Sequence, residues 1–132
     1  MAETRRGGEV NCYAFDVDHT LWLSEGPILL SQLIALREQG HIVGLCGNWG
    51  VVTRSVPRWH LVFSFIGPLI SKSEFLQQIK TYVPADNYIM VGNDPRYFGA
   101  SDDKTAALLA DWQFVREVDF AATFPPRKAQ HQ

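Results

Sequence analysis

Two acidic side chains at the end of an apolar run are the first residues in this chain whose type and spacing could support chemistry. Asp16 lies near the end of the run CYAFDV (12–17), and Asp18 directly follows it. Alternation along an extended backbone would turn both carboxylates to the same side. Two carboxylates this close repel each other in a poorly solvated crevice, and a divalent cation or a shared proton relieves the repulsion. Oxygen ligands with room for water suit Mg²⁺. A metal-held carboxylate can attack phosphorus while the second protonates a leaving oxygen. A bare Asp-x-Asp pair can also be an acidic turn after a strand.

The elements that must position this pair are short apolar runs that alternate with helical patterns. Strands are predicted at 12–17, 41–46, 61–66, 87–92 and 113–116. Helices are predicted from Ser24 to Gly40, over 50–57, from Ser71 through Tyr82, and from Asp102 to Trp112. Such alternation indicates βαβ units and a parallel sheet covered on both faces. The sequence therefore predicts an α/β domain with a three-layer, Rossmann-like core of about five strands, and ligands bind beyond the carboxyl ends of such strands.

Length and composition narrow the class of protein. The 132 residues suit one domain, predicted at 10–124 between flexible ends at 1–9 and 125–132. Hydrophobic residues make up 46% and the net charge is -2, so a general polyanion-binding surface is not indicated. No apolar run approaches the roughly 20 residues of a membrane span, and no secretory signal is evident. Cys12 and Cys46 are expected to be reduced, buried thiols of a cytoplasmic protein, with one disulfide left open.

The acidic pair belongs to a longer pattern. YAFDVDHTLW, an apolar strand followed by Asp-x-Asp-x-Thr and an apolar pair, resembles motif I of the haloacid-dehalogenase-like (HAD) superfamily. That family has a Rossmann-like sheet and usually transfers phosphoryl groups through an aspartyl-phosphate with Mg²⁺. The resemblance implies that Asp16 is the nucleophile and that Asp18 is the general acid and base, with both residues at the metal. It also implies that Thr20 braces the loop among the substrate-binding residues.

Two further positions match the order of the family's motifs. Cys46 stands where the family has Thr or Ser to hold the phosphoryl group, and a thiol is a weaker donor than a hydroxyl. The backbone N–H groups of Gly47 and Asn48 could still bind phosphate. The alternative for Cys46 is a small buried hydrophobe. Lys72, in ISKSEFLQQI, matches the Lys that offsets the charge of aspartate and phosphate.

The fourth motif follows the predicted strand at 87–92. IMVGNDPRYFGASDDK resembles the family's VGD or VGND stretch with a later Asp. Asn93 and Asp94 are the candidates to complete the Mg²⁺ site. Asp103 is the candidate for the later, supporting Asp, with Asp102 as its competitor. A helix N-terminus that favours negative charge would also explain the last two acids.

The spacing of the motifs leaves no room for a cap domain, because about 25 residues separate Thr20 from Cys46 and Cys46 from Lys72. The resemblance therefore implies an open site that takes a phosphorylated substrate, including phosphoproteins or nucleic-acid ends, or that a second copy covers in a homo-oligomer. The expected function is a Mg²⁺-dependent phosphomonoester hydrolase with no membrane partner. The alternative, which Cys46 favours, is a degenerate member that binds a phosphorylated ligand or a protein without turnover.

Overall fold

A parallel sheet forms the centre of the computed structural model, which describes residues 8–94 and 102–123. Its strands are β1 (Asn11–Phe15), β2 (Ile42–Leu45), β3 (Asn87–Gly92) and β4 (Gln113–Arg116). Their order in the sheet is β2-β1-β3-β4, and every pair is parallel. The predicted α/β fold with a mainly parallel sheet is therefore confirmed.

Within the described ranges, five helices connect and cover the strands. They are α1 (Leu30–Glu38), α2 (Trp49–Ser55), α3 (Lys72–Tyr82), α4 (Asp103–Leu109) and α5 (Glu117–Thr123), with 3-10 turns at Trp22–Ser24 and Trp59–Leu61. None of the helices in the described ranges is long and apolar enough to cross a membrane.

Two apolar clusters, one on each face of the sheet, hold the helices in place. Alternation along β1 turns Cys12 and Ala14 to one cluster and Phe15 to the other. The cluster with Phe15 takes in side chains from α1, α2 and α5, and the cluster with Cys12 and Ala14 takes in side chains from α3 and α4. The sheet is therefore a buried middle layer, as its continuous apolar runs predict.

The predicted strand at 61–66 is wrong. Leu61 ends a 3-10 turn, and only Phe65 forms an isolated parallel bridge, with Gly44. The segment still runs beside β2, because the Ser64 N–H donates to the Val43 carbonyl and the Leu45 N–H donates to the Phe65 carbonyl. The described part of the sheet thus has four strands instead of about five. A short apolar run does not distinguish a strand from a buried helical turn by its pattern.

The other differences lie in the connections. The predicted helix from Ser24 begins only at Leu30, because the chain between them turns back and Leu21 bridges Ile28. Helix α5 was not predicted. Gly40, with φ of 94°, ends the α1 region as expected.

From Thr20 to Lys72 the structure shows core elements and turns without a separate domain. Of the predicted flexible ends, residues 1–7 and 125–132 lie outside the described ranges.

Helix α3 offers a test of its predicted capping pattern. The Ser71 hydroxyl accepts a hydrogen bond of 3.2 Å from the Glu74 N–H, so Ser71→Ala should lower the free energy of unfolding by about 1 kcal/mol. Urea denaturation would measure it. Ser73→Ala is the matched control, since Ser73 lies within the helix and should change stability by less than about 0.5 kcal/mol. Equal losses in the two variants would contradict the cap.

Candidate active site at the carboxyl edge of the sheet

The chemistry-bearing residues meet at the edge where the parallel strands end. Asp16 directly follows β1, and Asn93 directly follows β3, its neighbour in the sheet. Lys72 and Asp103 are the first residues of α3 and α4. Because parallel strands end at a common edge, residues far apart in the chain become neighbours there.

One ammonium group serves two buried carboxylates. Lys72 Nζ lies 3.1 Å from Asp16 Oδ1 and 2.6 Å from Asp103 Oδ1. The side chain of Asp103 is fully buried and that of Asp16 is 4% exposed, whereas that of Lys72 is 21% exposed. This cluster of Asp16, Lys72 and Asp103, called the acid–lysine cluster below, therefore carries one excess negative charge when all three groups are ionised.

Burial and the neighbouring charges shift the pKa values in the cluster. Burial raises the pKa of Asp16 to about 7, with Asp103 adding to the rise and Lys72 opposing it. Burial lowers the pKa of Lys72, but its two carboxylate neighbours raise it more, so the pKa stays above its ordinary value of 10.5. Lys72 is therefore a permanent cation near neutral pH, while Asp16 holds a proton more readily than an exposed aspartate.

Asn93 links the cluster to the loop after β1. Its Nδ2 donates to Asp16 Oδ2 at 2.8 Å and to the Asp18 backbone carbonyl at 3.0 Å. Its backbone N–H donates to Asp103 Oδ2 at 2.8 Å. Its Oδ1 is buried and accepts no hydrogen bond from the residues that the structure describes.

These atoms fit a Mg²⁺ site. The described residues contain no group of three or more His, Cys, Asp or Glu side chains placed to hold a metal, so the donors here are mixed oxygens: the Asp16 carboxylate, the Asp18 carbonyl and the amide of Asn93. The two ends of an amide are assigned from their hydrogen bonds. Turning the amide brings the buried, unpartnered Oδ1 towards the other two oxygens. Mg²⁺ commonly binds through one or two carboxylates and keeps several waters.

Residues outside the acid–lysine cluster hold the Asp18 carboxylate. The strand ends at Phe15 and the backbone turns at 18–20. Asp18 Oδ1 accepts a hydrogen bond of 2.7 Å from Ser24 Oγ, and Oδ2 lies 3.3 Å from Asn48 Nδ2. Both aspartates nevertheless line one cleft of about 850 Å³. The described lining residues are Asp16, Asp18, His19, Ser24, Glu25, Gly47, Asn48, Pro68, Ile70, Ser71, Lys72 and Asn93.

Two glycines allow the aspartate side chains of the acid–lysine cluster to lie close to the backbone. A Cβ on Gly47 would collide with Asp16 Oδ1, and one on Gly92 would collide with Asp103 Oδ2. A side chain at either position would therefore force the neighbouring carboxylate to move. Both glycines are explained by an aspartate side chain that lies against them.

The residues predicted to bind the substrate divide into two groups. Asn48 and Gly47 line the cleft, but the Gly47 N–H already donates to the Gly67 carbonyl at 2.9 Å. Cys46 is fully buried in an apolar cluster and does not line the cleft. Burial raises the pKa of its thiol to about 12. Thr20 is also fully buried, and its Oγ1 has no hydrogen-bond partner within the described ranges.

The three acids that follow β3 differ in their positions and contacts. Asp103, not Asp102, reaches Lys72, because Asp102 caps α4 by accepting a hydrogen bond from the Thr105 N–H. Asp94, predicted as a metal ligand, lines a different cleft of about 430 Å³ that includes Arg116. The intervening residues 95–101 lie outside the described ranges.

Several cleft residues were missed by the sequence analysis. Ser24 holds Asp18, and Glu25, Pro68 and Ile70 form part of the wall. The loop after β1 brings Ser24 back to Asp18, since the His19 N–H donates to the Ser24 carbonyl. No motif in the sequence marks this return.

Comparisons with known proteins add no relative: no protein-family model, no curated protein and no solved structure matches the chain.

The raised pKa of Asp16 predicts how pH affects stability. Between the ordinary aspartate value of 3.8 and about 7, the folded metal-free protein binds a proton at Asp16 that the unfolded chain does not bind. This group therefore makes the free energy of unfolding fall as the pH rises through that window. Urea denaturation in the presence of a chelator, at several pH values from 4 to 8, would measure the slope.

Asp16→Asn removes the titrating group, so the fall with pH should be smaller in this variant than in the wild type. Asp119→Asn, at an exposed position on α5, is the matched control and should keep the wild-type slope. Identical slopes in the wild type and Asp16→Asn would contradict the assignment.

Proposed function

We propose that the protein is a Mg²⁺-dependent phosphomonoester hydrolase of the HAD type that works through an aspartyl-phosphate. The observation that carries the proposal is the arrangement at Asp16. One oxygen of this buried carboxylate faces Lys72, and the other faces an amide that also meets the Asp18 carbonyl. A nucleophile, a fixed cation and a set of oxygen donors thus meet at the floor of an open cleft.

The first half-reaction transfers the phosphoryl group to the protein. A carboxylate oxygen of Asp16 attacks phosphorus in line, the ester P–O bond breaks, and Asp18 gives a proton to the leaving alcohol. Asp18 suits this role because its carboxylate is exposed in the cleft and is oriented by Ser24. Bound Mg²⁺ would supply charge neutralisation for the phosphate and for the attacking carboxylate.

The second half-reaction regenerates Asp16. Asp18, now unprotonated, takes a proton from a water that attacks phosphorus, and the acyl phosphate P–O bond breaks to release inorganic phosphate. Lys72 keeps its charge throughout, since both carboxylate neighbours raise its pKa. Asp103 holds Lys72 in place and touches the Asn93 N–H, so it positions both groups without entering the cleft.

The direct test is hydrolysis of a generic aryl phosphate. We expect turnover that requires Mg²⁺, that stops when the metal is chelated, and that falls by at least about 10³-fold in Asp16→Asn. Phosphate release measured by a colorimetric assay would follow it.

Asp119→Asn should retain wild-type turnover, because it changes an acid of the same type outside the cleft. Turnover that persists in Asp16→Asn, or that ignores Mg²⁺, would refute the mechanism.

Cys46 supports a second candidate function, the binding of a phosphorylated ligand without turnover. Its thiol is fully buried and protonated at neutral pH, with a pKa near 12, so it offers no strong donor to a phosphoryl group. Lys72 and the side chain of Asn48 are among the polar side-chain donors of the described wall of the cleft.

The pair Cys46→Ser and Cys46→Ala separates these candidates. If a missing hydroxyl weakens the phosphate contact, Cys46→Ser should raise kcat/KM for the aryl phosphate by about tenfold, the value of a charge-assisted hydrogen bond, while Cys46→Ala should not. The alanine variant controls for lost volume and stability. The same rate in both variants would mean that the residue only fills space.

A further inference from the structure

The charge of the cleft limits which phosphate esters it can hold. Asp16, Asp18 and Glu25 line it, and Lys72 is the single Lys or Arg among the described lining residues. Lys72 is already within 3.1 Å of two carboxylates. A divalent cation and Lys72 together can balance the aspartates and part of a phosphate, but no lysine or arginine of the described wall remains for a second anionic group.

Beyond the floor of the cleft, the described wall is acidic on one segment and apolar on another. The side chain of Glu25 is 84% exposed, lies on the loop that follows β1, and has its Oε1 4.0 Å from Nδ1 of His19 in the same wall. Pro68 and Ile70 form the other segment, and Ile70 is 51% exposed. Leu69 between them is 90% exposed. This segment leads directly into Ser71 and Lys72, which line the same cleft.

We propose that the substrate is a phosphomonoester of an apolar, non-anionic alcohol, and that Glu25 is the residue that selects against an anionic one. The inference rests on the proposed function, because it assigns the leaving group of that same site. An ester with a second phosphate or a carboxylate would bring a like charge towards Glu25 and Asp18. An aryl or alkyl group would cover Ile70, whose exposed surface is otherwise left in water.

A matched pair of esters tests this assignment. The phosphates of tyramine and of 3-(4-hydroxyphenyl)propionate share an aryl ring and a two-carbon chain, and they differ in ending with an ammonium or a carboxylate. At low ionic strength we expect kcat/KM to be about tenfold higher for the ammonium ester, with a smaller ratio at high salt. Equal values, or a preference for the carboxylate ester, would overturn the proposal.

Substitutions connect the preference to the wall of the cleft. Glu25→Gln should reduce the ratio to less than half of its wild-type value. Glu38→Gln, on α1 and outside this cleft, should leave the ratio unchanged. Ile70→Ser should lower kcat/KM for both esters by about threefold, in line with the loss of apolar contact, whereas Ile34→Ser on α1 should not. An unchanged ratio in Glu25→Gln would remove Glu25 from selection.

The failure of this inference is distinguishable from failure of the proposed function. If the wild type hydrolyses neither ester, calorimetric titration with each ester in the presence of Mg²⁺ still measures the selection. Tighter binding of the ammonium ester without hydrolysis would refute the phosphatase and support the assignment of the cleft. Equal binding, or no binding of either ester, would overturn the assignment itself.

Discussion

A single ammonium group shared by two buried carboxylates is the interaction on which the rest of this site depends. Asp16 directly follows β1, Asp103 begins α4, and Lys72 begins α3. Buried charges are tolerated when they are paired, and removing one member leaves the others uncompensated. The cluster therefore fixes three elements at the carboxyl edge of the sheet, and any change in their packing is felt at Asp16.

The backbone around the cluster is built for close approach. Gly47 and Gly92 lie against Asp16 and Asp103 at places where a Cβ does not fit. Asn93 adds a second link, because its backbone binds Asp103 while its side chain binds Asp16. Consequently the Asp16 carboxylate has little freedom to rotate, which is the preorganisation that the proposed in-line attack requires.

The sequence predicted best those features that local pattern and strand order determine. The parallel sheet follows from short apolar runs that alternate with helices, and the start of α3 follows from Ser71 and Glu74. The meeting of Asp16, Lys72 and Asp103 follows because each residue lies next to an element end on one edge. The assignment of Mg²⁺ and of phosphatase chemistry stays a prediction.

What the sequence did not predict depends on tertiary contacts. The run at 61–66 is apolar because it packs beside β2, but a 3-10 turn uses its first residue and one bridge uses Phe65. Asp94 stands next to Asn93 in the chain, yet the two line different clefts. Neighbouring residues at the end of a strand point to opposite sides, so a strand end can place only one of them at a given cleft. Asn93 occupies the inner position here, so of these two neighbours it is the amide that reaches Asp16. The difference matters chemically, because a neutral amide adds no further negative charge to a cluster that already carries an excess of it.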